Sequence, residues 1–486
     1  MKQLISRAFA IVMLTLLLSC SISEDTGLGI LTGKVFHSEK ALALLKKFSR
    51  LQFHLDTNLT VVQDYPVISE ELLSRNIALS YQKASTFINR DLMSEFSFVN
   101  YVLPYKLNSS MPSDWRTKAL SLYTVPFERM KYCTSSDSML NICNDVDRYT
   151  KTLVKYKLDN TNENILTFDE IVKKGSGSCL SICNLNSYIS RANGLPMTFD
   201  YVPAWGNQDG GHAWNVLVPN EKEFYPISGD DSGTNEKYNP LSFIISSNKD
   251  FYSYRIPPKV YRKGFIPDTT SVYLKFYKQL SNIGTTFTDL DVTSKYVKTG
   301  ELNTQYYFKK TSEILVISVL NSGTWKPVSA ISPKLKEFKF RDLGVENLYL
   351  ISTLDFRGES FLFYLDKSAN IRDFRSTKRH KMILSSDKSV LQQQVAYIDK
   401  HGWKLPDSIK NLSFLQKPSL SDNMQYELYG MKKGKWELLE RKFANHQKFT
   451  TTGEYADGLY ILIEKGSVIN AKTRPFILLN TETIFI

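Results

Sequence analysis

Apolar positions along the chain change spacing three times, and each change marks a different kind of structure. From Ser38 to about Asp147 they recur at helical intervals: Ala41-Leu42-Ala43-Leu44-Leu45 leads to Phe48, and Leu72-Leu73 is followed by Ile77-Ala78-Leu79. This pattern predicts a helical N-terminal region over 20–149. Its aromatic run from Phe98 to Lys106, closed by Trp115-Arg116, is expected to pack beside the next domain. From about Thr150 to Val260 one long helix gives way to short strands at Pro196–Pro203, His212–Val218 and near Phe224–Ser228. Beyond Val260 the texture is β. Ser271–Phe276, Ile314–Leu320 and Leu459–Ile463 read as strands bounded by turn residues. The expected architecture is multidomain α+β. A helical N-terminal region and a core over 150–260 come first, followed by two β-sandwich-like domains at 261–375 and 376–486, divided near the basic stretch Arg372–Lys381.

The first 19 residues change the expected location of the protein. Met1-Lys2 and Arg7 precede the apolar run Ala8–Leu18, a secretory signal too short to span a bilayer as a mature helix. Leu17-Leu18-Ser19-Cys20 resembles a bacterial lipobox, with Cys20 as the lipidated residue; an ordinary secretory signal with an incidental cysteine is the alternative. Glu24-Asp25 soon after resembles the acidic export tag of surface lipoproteins. The expectation is a cell-envelope lipoprotein, in the outer membrane and exposed at the surface if the tag is real, held to the membrane through its anchor.

Composition adds exclusions more than assignments. The formal charge is +12, but Lys and Arg are spread through the expected strands, so no nucleic-acid face is expected. The six His do not cluster with Cys or acids at ligand spacing, so no metal and no cofactor is expected. Of the five Cys, Cys133 and Cys143 are close enough in sequence to bridge in an exported protein and are equally compatible with free thiols.

Chemistry concentrates where the long helix begins. Gly175-Ser176-Gly177-Ser178-Cys179 leads into a helix whose Ile182, Leu185, Ile189 and Ala192 share one face, with Ser178 as N-cap and Gly194 and Pro196 as stop signals. Cys179 therefore falls in the first turn, where unpaired N–H groups and the helix dipole favour thiolate and can stabilise an oxyanion. Cys183, one turn further in, reads as a small core residue. His212 opens the second strand directly after Gly210-Gly211, at a position suited to a general base. Trp205, Trp214 and Gly211 are the expected cleft walls.

The Gly-Ser-Cys helix start, its closing Arg191-Ala192-x-Gly194-Leu195-Pro196 and the following His212-Ala213-Trp214 resemble the transglutaminase-like superfamily, which has a papain-like fold. The resemblance implies Cys179 as nucleophile and His212 as base. The wider chain is similar to large Bacteroidetes transglutaminase-like lipoproteins at Leu103-Pro104-Tyr105-Lys106, Trp115-Arg116, Tyr201-Val202-Pro203-x-Trp205 and Asp291-Val292-Thr293-Ser294. That second likeness implies domain order and envelope location, and no substrate.

The acid of the triad departs from the family pattern. An Asp is usual in a Trp-x-Pro-x-Asp context, and here Phe224-Tyr225-Pro226-Ile227-Ser228 puts Ser228 there. Strand pairing offers replacements: a hairpin loop of Asn220–Lys222 sets His212 opposite Asp230, and a loop extended to Glu223 sets it opposite Asp231. Asp230 ranks first, Asp231 second and an incomplete triad third. Two function classes follow. One is a thiol acyltransferase or amide/peptide hydrolase acting on a peptide, protein or cell-wall peptide; the other is a non-catalytic surface protein binding glycan or peptide through its β domains.

Overall fold

The computed structural model describes residues 38–485 except 56–60, 158–162, 208–209, 228–239, 242–254, 281–282, 284, 309–312, 355–359, 375–377, 386–419, 433–434 and 470–474. It is a mixed α and β protein. Residues 1–19, expected to be a secretory signal, and Cys20 lie outside the described residues. Among those described, no helix is long and apolar enough to cross a membrane.

Among the described residues, seven helices of seven residues or more organise the first half: α1 (Ser38–Ser49), α2 (Glu70–Ala84), α3 (Glu95–Tyr101), α4 (Trp115–Leu122), α5 (Ser136–Leu153), α6 (Phe168–Lys174) and α7 (Cys179–Ala192). Helix α7 is their centre. Residues Ser181 to Ala192 are all buried, which a helix achieves only when neighbours cover every face. Ile182, Leu185, Ile189 and Ala192 share one apolar cluster with Met139, Ile142 and Val146 of α5 and with Phe168 and Ile171 of α6. The aromatic run and its Trp-Arg pair close over α7. Trp115 and Tyr188 lie 4.8 Å apart between ring centroids. Arg116 donates to Asn76 Oδ1 (2.9 Å) and to the carbonyls of Arg191 (2.6 Å), Val102 (2.6 Å) and Pro104 (3.2 Å), so a buried guanidinium ties α2, α4 and α7 together.

Against α7 lies an antiparallel sheet of β1 (Met197–Val202), β2 (His212–Leu217), β3 (Tyr225–Ile227), β4 (Tyr261–Arg262) and β5 (Leu290–Asp291), in the order β3-β2-β1-β4-β5. The last two strands lie beyond 260, so the sheet of the core extends about thirty residues past the boundary expected from periodicity. Between them, Val272–Lys275 is a short helix capped by Ser271, whose hydroxyl accepts from Tyr273 N at 3.1 Å. The strand expected at Ser271–Phe276 is therefore absent, because a capping serine decides the local geometry there ahead of the β-type residues Val272 and Tyr273.

Beyond Asp291 the described residues include two further antiparallel sheets of five strands. In the first, β7 (Leu315–Asn321), β8 (Thr324–Ile331), β10 (Asn347–Thr353), β11 (Ser360–Leu365) and β12 (Ile371–Asp373) run in the order β8-β7-β10-β11-β12; a ribbon of β6 (Thr299–Asn303) and β9 (Lys339–Gly344) accompanies them. In the second, Gln425–Lys432 is flanked by Lys435–Phe443 and Gly458–Glu464, with Pro475–Leu479 and Glu482–Phe485 beyond. The first of these sheets is joined to the core by buried polar contacts. Tyr261 Oη donates to Val328 O at 2.8 Å, Tyr349 Oη to Pro258 O at 3.2 Å and Lys259 Nζ to Arg341 O at 2.7 Å.

Candidate active site

The start of α7 is built by residues that satisfy its first backbone donors. An α-helix leaves four N–H groups without intrahelical partners, here those of Ser178, Cys179, Leu180 and Ser181. Ser178 Oγ accepts from Leu180 N at 3.1 Å. The carboxylate of Glu163 accepts from Ser178 N at 2.7 Å and from Ser181 N at 3.1 Å, and the Ser178 hydroxyl donates to it as well. Only the N–H of Cys179 has no hydrogen-bond partner among the described residues. Gly177 is needed for this packing, because a Cβ there would lie 2.4 Å from Ser181 Cβ and 3.0 Å from Glu163 Oε1.

Cys179 is partly exposed, and its side chain packs against the buried cluster of Cys183, Phe199 and Ala213. Burial pushes the thiol above its ordinary pKa, and the Glu163 charge adds to the rise; the donors of Ala213, Ser178 and Leu180 act the other way. The dipole argument alone predicted a thiolate. It is overridden first by burial of the thiol and then by the Glu163 carboxylate, which already occupies the positive end of the helix. Cys183 is fully buried with Phe199 and Ala213. Cys133 and Cys143 are both free and buried, so the alternative of a bridge between them is not the one adopted.

His212 is the first residue of β2 and pairs with Val202 of β1. Strand alternation turns Ala213 toward α7 and puts His212 on the side of Trp214, whose ring centroid is 5.8 Å from the imidazole. Thiol and imidazole are thus brought to the same strand end through Ala213, and any approach between them runs around that end rather than across a sheet face. Gly211, exposed just before His212, allows a close crossing of backbones: a Cβ would fall 2.3 Å from Val202 O.

The other two expected cleft walls are not at a surface. Trp205 and Trp214 are 1% and 0% exposed and share a core with Val202, Val216 and Val260. Trp214 Nε1 donates to Tyr296 Oη at 3.1 Å, which donates to Asp200 Oδ2 at 2.6 Å, and Arg262 grips the same carboxylate through Nε and Nη2, both at 2.8 Å. Sequence reasoning assigned the two indoles by nearness to His212. Period-two burial sends large aromatics on such a strand inward instead.

Strand β3 pairs with β2 as Leu217 with Tyr225, Val216 with Pro226 and Asn215 with Ile227. This is the register that the expected three-residue loop would set, although residues 218–224 separate the two strands; Asn220 helps to turn the connection by accepting from Lys222 N (2.9 Å) and Glu223 N (3.0 Å). Ser228, Asp230 and Asp231 lie outside the described residues. Among the described residues no group of three or more His, Cys, Asp or Glu could hold a metal ion.

Two residues of consequence for the site escaped the sequence reading. Glu163 precedes its helix by a stretch without pattern, and Asn321 belongs to a different sheet. Asn321 reaches the loop before His212 and binds it at three points. The only signal in sequence was the Asn-Ser-Gly turn that ends an apolar run. In comparisons with known proteins the chain matches no family model, and no curated protein resembles it at a significant level.

Proposed function

We propose that the protein is a thiol-dependent acyl-transfer enzyme with a transglutaminase-like, papain-type core, Cys179 as nucleophile and His212 as general base. The observation that supports this most directly is the packing of Cys179, the first residue of α7, against the cluster that contains Ala213, the neighbour of His212. In the proposed reaction the Cys179 sulfur gives its proton to His212 and bonds to the carbonyl carbon of an amide. The Cys179 N–H donates to the developing oxyanion. The C–N bond then breaks as His212 protonates the leaving amine, and water or a second amine releases the thioester. The register of β2 and β3 favours Asp230 over Asp231 as the carboxylate that orients the imidazole. A peptide, protein or cell-wall peptide is the substrate class, and a lipid on Cys20 would hold the enzyme at the envelope; transfer of a Cys20→Ala variant out of the membrane fraction would support the anchor.

Iodoacetamide labelling tests the assignment. Cys179 should be alkylated ahead of Cys133, Cys143 and Cys183 in folded protein, and His212→Ala should slow that reaction near neutral pH. Equal labelling of all four thiols, or indifference to His212, would sink the proposal. The raised Cys179 pKa beside Glu163 favours a second reading, a non-catalytic surface protein that binds glycan or peptide. Binding retained in Cys179→Ala, with slow and His212-independent labelling in the wild type, would select it.

A further inference from the structure

The loop from Ala204 to Gly211 delivers His212 to its strand, and it is closed by a residue of the neighbouring sheet. Asn321 is the last residue of β7 and pairs with Thr324 across the Ser322-Gly323 turn, whose φ angles of 52° and 72° make a tight hairpin. Its side chain is 5% exposed. Nδ2 donates to Trp205 O at 3.0 Å and to Gly210 O at 2.9 Å, and Oδ1 accepts from Gly210 N at 3.1 Å. Trp205 N in turn donates to Gly210 O at 3.0 Å, so one amide holds both ends of the loop together two residues before His212. A second tie lies beside it: Gly206 N donates to Ile256 O, and Asn207 Oδ1 accepts from Ile256 N, each at 2.9 Å.

We infer that Asn321 is a positioning residue for His212, through which the first C-terminal sheet is a working part of the site; the inference rests on the proposed role of His212 as base. An asparagine amide is the fitting group, because the loop presents two carbonyls and one N–H, and a side chain must both donate and accept to satisfy them. Losing the clasp leaves Trp205 N as the tie on the Gly210 carbonyl and loosens the lead into β2, including Ala213, whose cluster Cys179 packs against. Displacements near 1 Å between reacting groups cost on the order of 10²-fold in rate.

The test is the pH profile of Cys179 alkylation by iodoacetamide in the full chain, compared among wild type, Asn321→Ala, Asn321→Asp and His212→Ala, with thermal melting of each. Asn321→Ala should lose most of the His212-dependent rate, about 10-fold or more. Asn321→Asp keeps the accepted bond from Gly210 N but turns an acceptor toward the carbonyls of Trp205 and Gly210, so it should lose at least as much of that rate as alanine. The His212→Ala profile should be insensitive to a further Asn321→Ala change. Asn321 variants that melt lower yet retain the wild-type profile would overturn the inference and leave the base intact. A wild type whose profile already ignores His212 would overturn the proposed base, and the clasp with it. If Asn321→Ala does not fold, the aspartate variant decides by the same comparison.

Discussion

The two sides of the candidate site are held in opposite ways. The thiol side is local: Gly177, Ser178 and Ser181 surround Cys179 in sequence, and Glu163 reaches them from only fifteen residues away. The imidazole side is distant. His212 is carried by a strand whose approach is fixed by Ile256 and Asn321, and whose Trp214 face rests on Tyr296, Asp200 and Arg262. A helix can complete its own N-terminus with nearby side chains, whereas the end of a strand has open hydrogen-bonding groups that other parts of the chain must meet. The thiol side is therefore the more autonomous of the two, and substitutions should show it.

The largest expected effect is on the imidazole side. Asp230→Asn should lower His212-dependent turnover of the thiol by about 10²- to 10⁴-fold, the range seen when a base loses its orienting carboxylate. Asp231→Asn should change it little, and the reverse order would mean a longer hairpin loop than the β2–β3 pairing indicates. Rates of Cys179 alkylation, measured with folding confirmed by circular dichroism, distinguish the two.

Next in size are the two glycines at which backbones crowd. Gly177→Ala and Gly211→Ala both force a Cβ into contacts of 2.4 Å and 2.3 Å, and each should cost about 1–3 kcal/mol in urea unfolding. They should differ in consequence. Gly177→Ala disturbs Ser181 and Glu163 and should change the Cys179 pKa; Gly211→Ala presses on Val202 O and should affect His212-dependent rates while leaving the intrinsic thiol pKa in place. Identical chemical phenotypes would erase the contrast between the two sides.

The smallest effect sharpens the thiol side. Glu163→Gln keeps hydrogen-bonding atoms at the start of α7 but removes the charge that opposes ionisation of Cys179. The alkylation profile should move to lower pH, at a stability loss of about 1 kcal/mol near neutrality. Because the folded thiol holds its proton more tightly than the unfolded one, its contribution to stability is complete below the unfolded pKa and is lost as pH rises through the folded value. Glu163→Gln should narrow that alkaline window, which denaturant melts between pH 8 and 10 would report.

Much of this was legible in the chain. Capping by Ser178, the apolar face of α7 and its Gly-Pro stop, and the strand opening at His212 all follow from short-range chemistry, and the structure contains each. The register of β3 against β2 also follows, although the connection is longer than the three residues expected, and the Asn220 side chain helps to turn it. Three features did not. Ser271–Phe276 carries strand-type residues yet forms a helical turn. Trp205 and Trp214 sit beside the His in sequence yet point into a core. The thiol at a helix N-terminus has a raised pKa rather than a lowered one.

What the sequence determined by itself is the set of local elements and the two residues, Cys179 and His212, that they bring to the head of a helix and the head of a strand. Tertiary structure alone decided what surrounds them: the Glu163 charge at the helix end, the Asn321 clasp on the loop and the core sheet's last two strands from beyond 260. The reason is range. Caps, turns and periodicity act over a few residues and leave a mark in the sequence. Electrostatics and hydrogen bonds between segments far apart in the chain depend on where the fold places them, and no local pattern records that placement.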